Sequence, residues 1–212
     1  MRKLKIKNDD SENTMKINKV TVLGGGSAGL IAALTIRRQL PDLPVEVVYS
    51  EDLGIIGVGE GTTAAFPRHF FEYLKLNPGD FYRDAEPTWK LGIHFKWGPH
   101  PQGFYYSFQH EYKTRWPELK RNTGFYCDKE TKWIGIVSAC MAKGMVFPRK
   151  QDGSPHFHKS HAFHIENKKL VSYLEGQCRQ LGVSFLEGRV SDVERGPEGV
   201  AALILESGQR VT

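Results

Sequence analysis

An α/β fold with a parallel sheet is predicted by three features: a short β-branched run, a glycine cluster that opens an apolar helix, and a second β-branched run after it. Ile17–Leu23 (INKVTVL) is the first strand, and Gly24–Gly29 (GGGSAG) punctuates it. Leu30–Leu40 reads as a helix stopped by Pro41, and Val45–Tyr49 (VEVVY) is the second strand. Such β–loop–α–β units of about 30 residues belong to parallel sheets. Further on, Phe66–Leu74 reads as a helix and Thr88–Trp97 (TWKLGIHFKW) as one strongly alternating strand. Residues 98–160 are rich in aromatics, Gly and Pro and read as an insertion of loops and short elements. Asn167–Leu181 has helical spacing, with Asn167 as N-cap and Gly182 as the stop. Val183–Leu186, Val190–Val193 and Val200–Leu205 are strands, and Ser207–Gly208 turns the chain towards Arg210–Thr212.

Composition bounds the rest. The 212 residues, 40% hydrophobic and 25% charged, suffice for one packed domain over 17–212. Residues 1–16 are polar and form a disordered lead-in without the apolar core of a secretory signal. The net charge is +5, yet outside Met1–Lys7 the Lys and Arg residues are scattered, so no nucleic-acid partner is expected. Cys127, Cys140 and Cys178 form no CxxC pair, which argues against a disulfide framework and fits a reducing cytoplasm. No apolar run has the ~20 residues of a membrane span, so a soluble, cytoplasmic protein is expected.

The glycine cluster carries the first chemistry. A GxGxxG that follows a strand and opens a helix cradles a nucleotide diphosphate. Gly24 permits the tight turn, Gly25, Ser27 and Ala28 complete the loop, Gly26 lets the backbone approach the phosphates, and Gly29 lets helix and strand pack. The helix N-terminus adds free N–H groups and partial positive charge. The acid expected after the second strand to hold a ribose is absent: Tyr49 and Ser50 stand there, with Glu51 just beyond. Either Glu51 substitutes, or backbone and the Ser50 hydroxyl hold the ribose. The loop alone does not choose between NAD and FAD.

That choice comes from two further stretches. Gly57–Thr63 (GVGEGTT) and Trp89–Trp97 (WKLGIHFKW), following GGGSAG in order and spacing, resemble the flavin-dependent halogenases of the tryptophan-halogenase type. Ser160–Ile165 (SHAFHI), running into the helix at Asn167, is a third match, and the resemblance spans Lys19 to Thr212. It implies a Rossmann-like FAD-binding domain of the FAD-monooxygenase type, truncated. It also implies FADH2 supplied by a separate flavin reductase, oxygen, and halide converted to hypohalous acid. A lysine delivers the halogen to a small electron-rich aromatic such as tryptophan or indole. A homodimer is compatible with the resemblance.

Carried over residue by residue, the catalytic lysine is Lys90. Periodicity alone reads it as a solvent-facing strand lysine, opposite Trp89, Leu91, Ile93, Phe95 and Trp97, with Gly92 leaving space beside it. Only the resemblance makes it catalytic. Leu53–Gly61 resembles the family's flavin strap, a loop that closes over the cofactor. Its matching contact positions are Ser50, Leu53, Ile56, Val58, Gly59, Glu60 and Gly61, and Val190 matches a position near the adenine. His156, His158, His161 and His164 have no metal-ligand spacing and no accompanying Cys or paired acid, so no metal is expected. His161 and His164 are expected to line the core near the flavin.

The family's enzymes continue past the point matched by Thr212, through a strand like DLFIDCSG, a WxWxIP signature, a glutamate paired with the lysine, and a halide loop. Trp89, Trp97, Trp116 and Trp133 fit no WxWxIP. The resemblance therefore implies an N-terminal portion, inactive alone and with an unpaired sheet edge. Two alternatives stay open: part of an FAD-dependent monooxygenase that hydroxylates, or a non-catalytic FAD-binding remnant.

Overall fold

The computed structural model describes residues 17–54, 57–97, 103–108, 136–147, 149–154, 161–197 and 199–212. Ile56, Trp116, Cys127, Trp133, His156 and His158 lie outside them.

The β–loop–α–β unit forms as expected. β1 (Val20–Leu23) and β2 (Val45–Tyr49) pair in parallel, Val20 opposite Val45, with helix α1 (Ser27–Gln39) between them in sequence. The helix starts three residues earlier than the apolar pattern indicates. Gly26, in extended backbone, is its N-cap and offers no side chain to the first N–H groups. Leu30, Ala33 and Leu34, at i, i+3 and i+4, are its buried stripe. Pro41 cannot continue the ladder, and the helix closes with Leu40 N donating to Ile36 O at 2.8 Å.

The chain then leaves this sheet and returns late. After a 3₁₀ turn at Glu51–Leu53 comes the two-residue β3 (Glu60–Gly61). The helix expected at Phe66–Leu74 is instead the short α2 (Ala65–Pro67) followed by a π turn over Arg68–Tyr73. That wider turn buries Phe70 completely and stacks it on Phe66 at 3.8 Å. Helix α3 (Pro78–Ala85) is an addition to the sequence reading. Its start was legible, since Asn77 caps Gly79 N and Asp80 N and Pro78 follows.

Thr88–Trp97 is two strands rather than one. β4 (Thr88–Lys90) pairs with β7 (Ala162–Ile165), whereas β5 (Gly92–Phe95) pairs with β6 (Phe104–Ser107). The break is Leu91, buried against Val137, Cys140 and Phe147. Its carbonyl accepts from Phe108 N at 2.9 Å. Gly92 is required by β6 rather than by Lys90: a Cβ there would lie 2.1 Å from the Tyr106 carbonyl oxygen. Helix α4 (Ile136–Ala142) buries Val137, Ser138 and Cys140.

Helix α5 (Asn167–Gln180) is capped by Glu166, not Asn167. The longer carboxylate reaches back to Lys168 N at 3.0 Å and Lys169 N at 2.9 Å, and its charge complements the helix dipole. Gly182, at φ +75°, stops the helix as expected. β8 (Ser184–Glu187) then joins the first sheet beside β2, giving the parallel order β1-β2-β8. Among the described residues the outer edge of β1 takes no strand, and Leu23 is 56% exposed. β9 (Val190–Gly196), β10 (Gly199–Leu205) and β11 (Arg210–Val211) complete an antiparallel meander.

One core joins the parallel sheet to the small β3-β7-β4 sheet. It contains Leu30 and Leu34 of α1, Val45 and Val47 of β2, Phe81 of α3, Phe163 of β7, and Leu170 and Leu174 of α5. Arg37 adds a polar tie, its Nε donating to Leu181 O at 2.9 Å. No helix among the described residues is long and apolar enough to cross a membrane.

Candidate functional site

The glycine loop, Ser50 and Val190 converge at the C-terminal ends of the parallel strands, where open α/β sheets bind ligands. Gly24 N donates to Val48 O, and Gly188 N donates to Tyr49 O, both at 2.8 Å. Val190 follows two residues after Gly188, opens β9, and is half-buried against the cluster of Val48, Leu205 and Val211.

Each glycine has its own reason. Gly24 sits at φ +116°, backbone that disfavours side chains. A Cβ on Gly29 would lie 2.0 Å from the Gly24 carbonyl oxygen, and one on Gly25 2.8 Å from Tyr49 Cβ. Those two glycines serve packing. At Gly26 no described residue stands within 4 Å of a Cβ, so among the described residues that space is open in front of the helix N-terminus that Ser27 and Ala28 begin. Uncapped N–H groups behind an open cradle fit a diphosphate. Ser50 supports the same fit, because its Oγ is buried and finds no hydrogen-bond partner among the described residues. Glu51, in contrast, opens the exposed 3₁₀ turn.

The strap carries apolar side chains to its surface: Leu53 is 67% exposed and Val58 83%. Gly54 and Gly59 take φ of +61° and +74°. The strap is fastened to the nucleotide loop, since Ser27 Oγ donates to Glu60 Oε1 at 3.0 Å. Beside it an open pocket of about 380 Å³ is lined by Val58, Gly59, Glu60, Gly61, Thr88 and His164.

Lys90 meets the residue that directly follows the strap. Its Nζ donates to the carbonyl oxygen of Thr62 at 3.0 Å and lies 5.7 Å from the centre of the Phe108 ring. The alternation holds as far as this residue: Trp89 faces the other way, edge-on to Phe147 at 4.6 Å. Burial draws the Lys90 ammonium below the ordinary lysine range. Gly61 lets the two groups approach closely: a Cβ on it would stand 3.2 Å from Lys90 Nζ, which would have to shift by a few tenths of an ångström, and 3.7 Å from His164 Nδ1, an ordinary contact. His164 is itself held below the usual histidine range, first by partial burial and then by the positive charge of Lys90. It is exposed at the cavity rim rather than in the core, whereas His161 lies edge-on to Phe163 at 5.3 Å.

Loop, strap and lysine thus meet, with Gly24–Gly29 joined to Glu60 and the strap joined to Lys90. The tryptophan halogenase family description matches residues 19–212. This chain belongs to that family. Tryptophan 7-halogenase RebH of Lentzea aerocolonigenes is 24% identical over 208 residues, covering 87% of this chain and 38% of RebH. Among solved structures, MibH, described as a tryptophan 5-halogenase, aligns with TM-score 0.69 and 32% identity, over 92% of this chain and 38% of its own. A flavin-dependent halogenase from Xanthomonas campestris aligns with TM-score 0.69 and 25% identity, over 93% and 41%. The chain therefore spans about two fifths of the length of these relatives. The halogenase nucleotide domain expected from the sequence stands as a member of this structural group.

Two residues of the site escaped the sequence reading, Thr62 and the position of His164 at the rim. Thr62 had a signal, a hydroxyl residue directly after the strap's last glycine. Recognising it required knowing which carbonyl the lysine meets.

Proposed function

We propose that this chain supplies the cofactor cradle and the lysine of a flavin-dependent halogenase acting on a small electron-rich aromatic such as an indole. The observation that carries the reading is the Lys90 ammonium, tied to the Thr62 carbonyl at the foot of a strap that is itself tied to the glycine loop. Gly24, Gly25, Gly26, Ser27, Ala28 and Gly29 would hold the diphosphate of FAD. Ser50 and Val190 would meet the adenosine end, and Leu53, Ile56, Val58, Gly59, Glu60 and Gly61 would cover the flavin. When bound as FADH2, delivered by a separate flavin reductase, the cofactor would supply with oxygen the oxidising power that turns halide into hypohalous acid.

The remaining work falls to the protein. Lys90 projects into the space beside Gly61, where its N–H groups can donate to hypohalous acid and orient it. Burial weakens its hold on the proton, which eases access to the nucleophilic amine. Phe108 closes one side of the ammonium, and an apolar wall limits loss of the oxidant to water. The Lys90 ammonium is the feature that favours this reading over a hydroxylating monooxygenase.

In the full-length protein, Lys90→Met is expected to abolish halogenated product while oxygen consumption with reductase, NADH and FAD continues. Mass spectrometry of the product and an oxygen electrode separate the two. Halogenation by Lys90→Met at near wild-type rate would refute the assignment.

A further inference from the structure

The β3–β7 ladder runs Glu60 opposite Ile165 and Gly61 opposite His164, so the next rung sets Thr62 opposite Phe163. In an antiparallel pair, alternate rungs exchange two N–H···O=C bonds. Here one is made: Thr62 N donates to Phe163 O at 2.9 Å. The other is diverted. Phe163 N donates to the Thr62 side chain, Oγ1, at 2.9 Å, and that hydroxyl donates in turn to Phe163 O at 3.2 Å. The Thr62 main-chain carbonyl, which the rung would otherwise use, accepts from Lys90 Nζ at 3.0 Å instead.

We propose that Thr62 is the positioning residue of Lys90: its hydroxyl completes the last rung of the β3–β7 ladder in place of its carbonyl, and so frees that carbonyl to hold the ammonium. The inference rests on the halogenase reading of Lys90 and deepens it. Both ends of the lysine are then referred to one strand. Its backbone pairs with Ala162 of β7, and its Nζ hangs from a carbonyl whose direction is set by Phe163 of the same strand. The role needs a short side chain that both accepts and donates, which restricts it to Thr or Ser. The β-branch of Thr adds a stiff χ1 that keeps the hydroxyl on the rung. An apolar residue would leave Phe163 N without its partner, and the carbonyl would be drawn back into the ladder. Gly61 leaves the ammonium its place, since a Cβ there would stand 3.2 Å from Nζ and displace it slightly.

The test compares Thr62→Val, Thr62→Ala and Thr62→Ser with the wild-type full-length protein. Trace acetylation read by mass spectrometry reports how freely each lysine amine reacts, with exposed Lys150 and Lys168 as internal standards. Losing an acceptor of the charged form favours the free amine, so Thr62→Val and Thr62→Ala are expected to label Lys90 roughly threefold faster or more. Thr62→Ser should match the wild type. In turnover, the first two should lower kcat for halogenation by about tenfold or more, since misdirection of a reacting group is that costly. The aromatic substrate's KM and the affinity for FAD should hold, and the serine variant should restore kcat. The limb of the pH profile that belongs to Lys90 should move to lower pH in the valine variant. If Thr62→Val fails to fold, Thr62→Ala, with no added methyl, carries the same comparison. Wild-type labelling of Lys90 in a folded hydroxyl-less variant would overturn the proposal, as would a serine variant that fails to rescue. If the wild type itself yields no halogenated product, the functional reading falls, and the labelling contrast still decides the role of Thr62.

Discussion

Lys90 is half-buried with a carbonyl as its partner, and a cation so placed opposes folding. Its pKa is drawn down from the ordinary lysine value by burial, so the unfolded chain binds the proton more tightly than the folded one. The resulting cost is fully present at pH values below the folded pKa, where the amine is charged in both states. It fades as pH rises through the folded pKa towards the unfolded value. Replacing Lys90 by Met should therefore raise the melting temperature at pH 7, with the gain shrinking as pH approaches 10. Paired thermal melts at the two pH values check this, and a gain that grows with pH would contradict it. A stabilising substitution that destroys activity would be the signature of a residue kept for chemistry rather than packing. This residue was legible only by resemblance. Alternation placed Lys90 opposite Trp89 correctly, but no pattern in the chain shows the Thr62 carbonyl that holds it, because that contact joins residues of two strands through a third.

At the scale of elements, those set by local sequence take the form their own residues predict. Val45–Tyr49 stands as a strand with the expected bounds, and Gly182 and Gly208 take the positive φ that their turn positions suggested. Elements whose form depends on distant partners depart from what their own residues predict. Thr88–Trp97 has unbroken alternation, yet Leu91 is claimed by the Val137, Cys140 and Phe147 cluster and the strand divides. The π turn at Arg68–Tyr73 likewise answers to the aromatic core rather than to its own sequence. The glycine loop is local and permits a clean separation of roles. Gly26→Val meets empty space in extended backbone, so the fold should melt as the wild type does without cofactor, while quenching of FAD fluorescence on titration disappears. Gly29→Ala drives a methyl into the Gly24 carbonyl and should cost about 1–3 kcal/mol of stability. Undiminished FAD affinity in folded Gly26→Val would remove the loop from the cofactor site.

Across the whole molecule, the glycine loop and Lys90 belong to different sheets that share one hydrophobic core. Phe81 is at the junction: it is fully buried, within 6.1 Å of the rings of Phe66, Phe70 and Phe71, and 5.4 Å and 5.5 Å from those of Phe163 and Tyr173. Phe163 is also the residue that fixes Thr62, while Tyr173 lies on α5, the helix that packs on α1 behind the glycine loop. Truncating Phe81 removes packing on both sides at once. Phe→Ala in a core costs about 3–5 kcal/mol, a large part of the roughly 5–15 kcal/mol that holds a domain together. Because the two sheets share the damaged core, they should fail together. Phe81→Ala should lower the melting temperature markedly, with far-UV circular dichroism and flavin release following one coincident transition in both variant and wild type. Two separated transitions, with flavin release at the wild-type temperature and loss of the β3-β7-β4 sheet well below it, would show that the cradle stands without the lysine's sheet. Coupling between strap and glycine loop would then rest on the Ser27–Glu60 hydrogen bond alone, too slight a link to keep Lys90 in register with a bound cofactor.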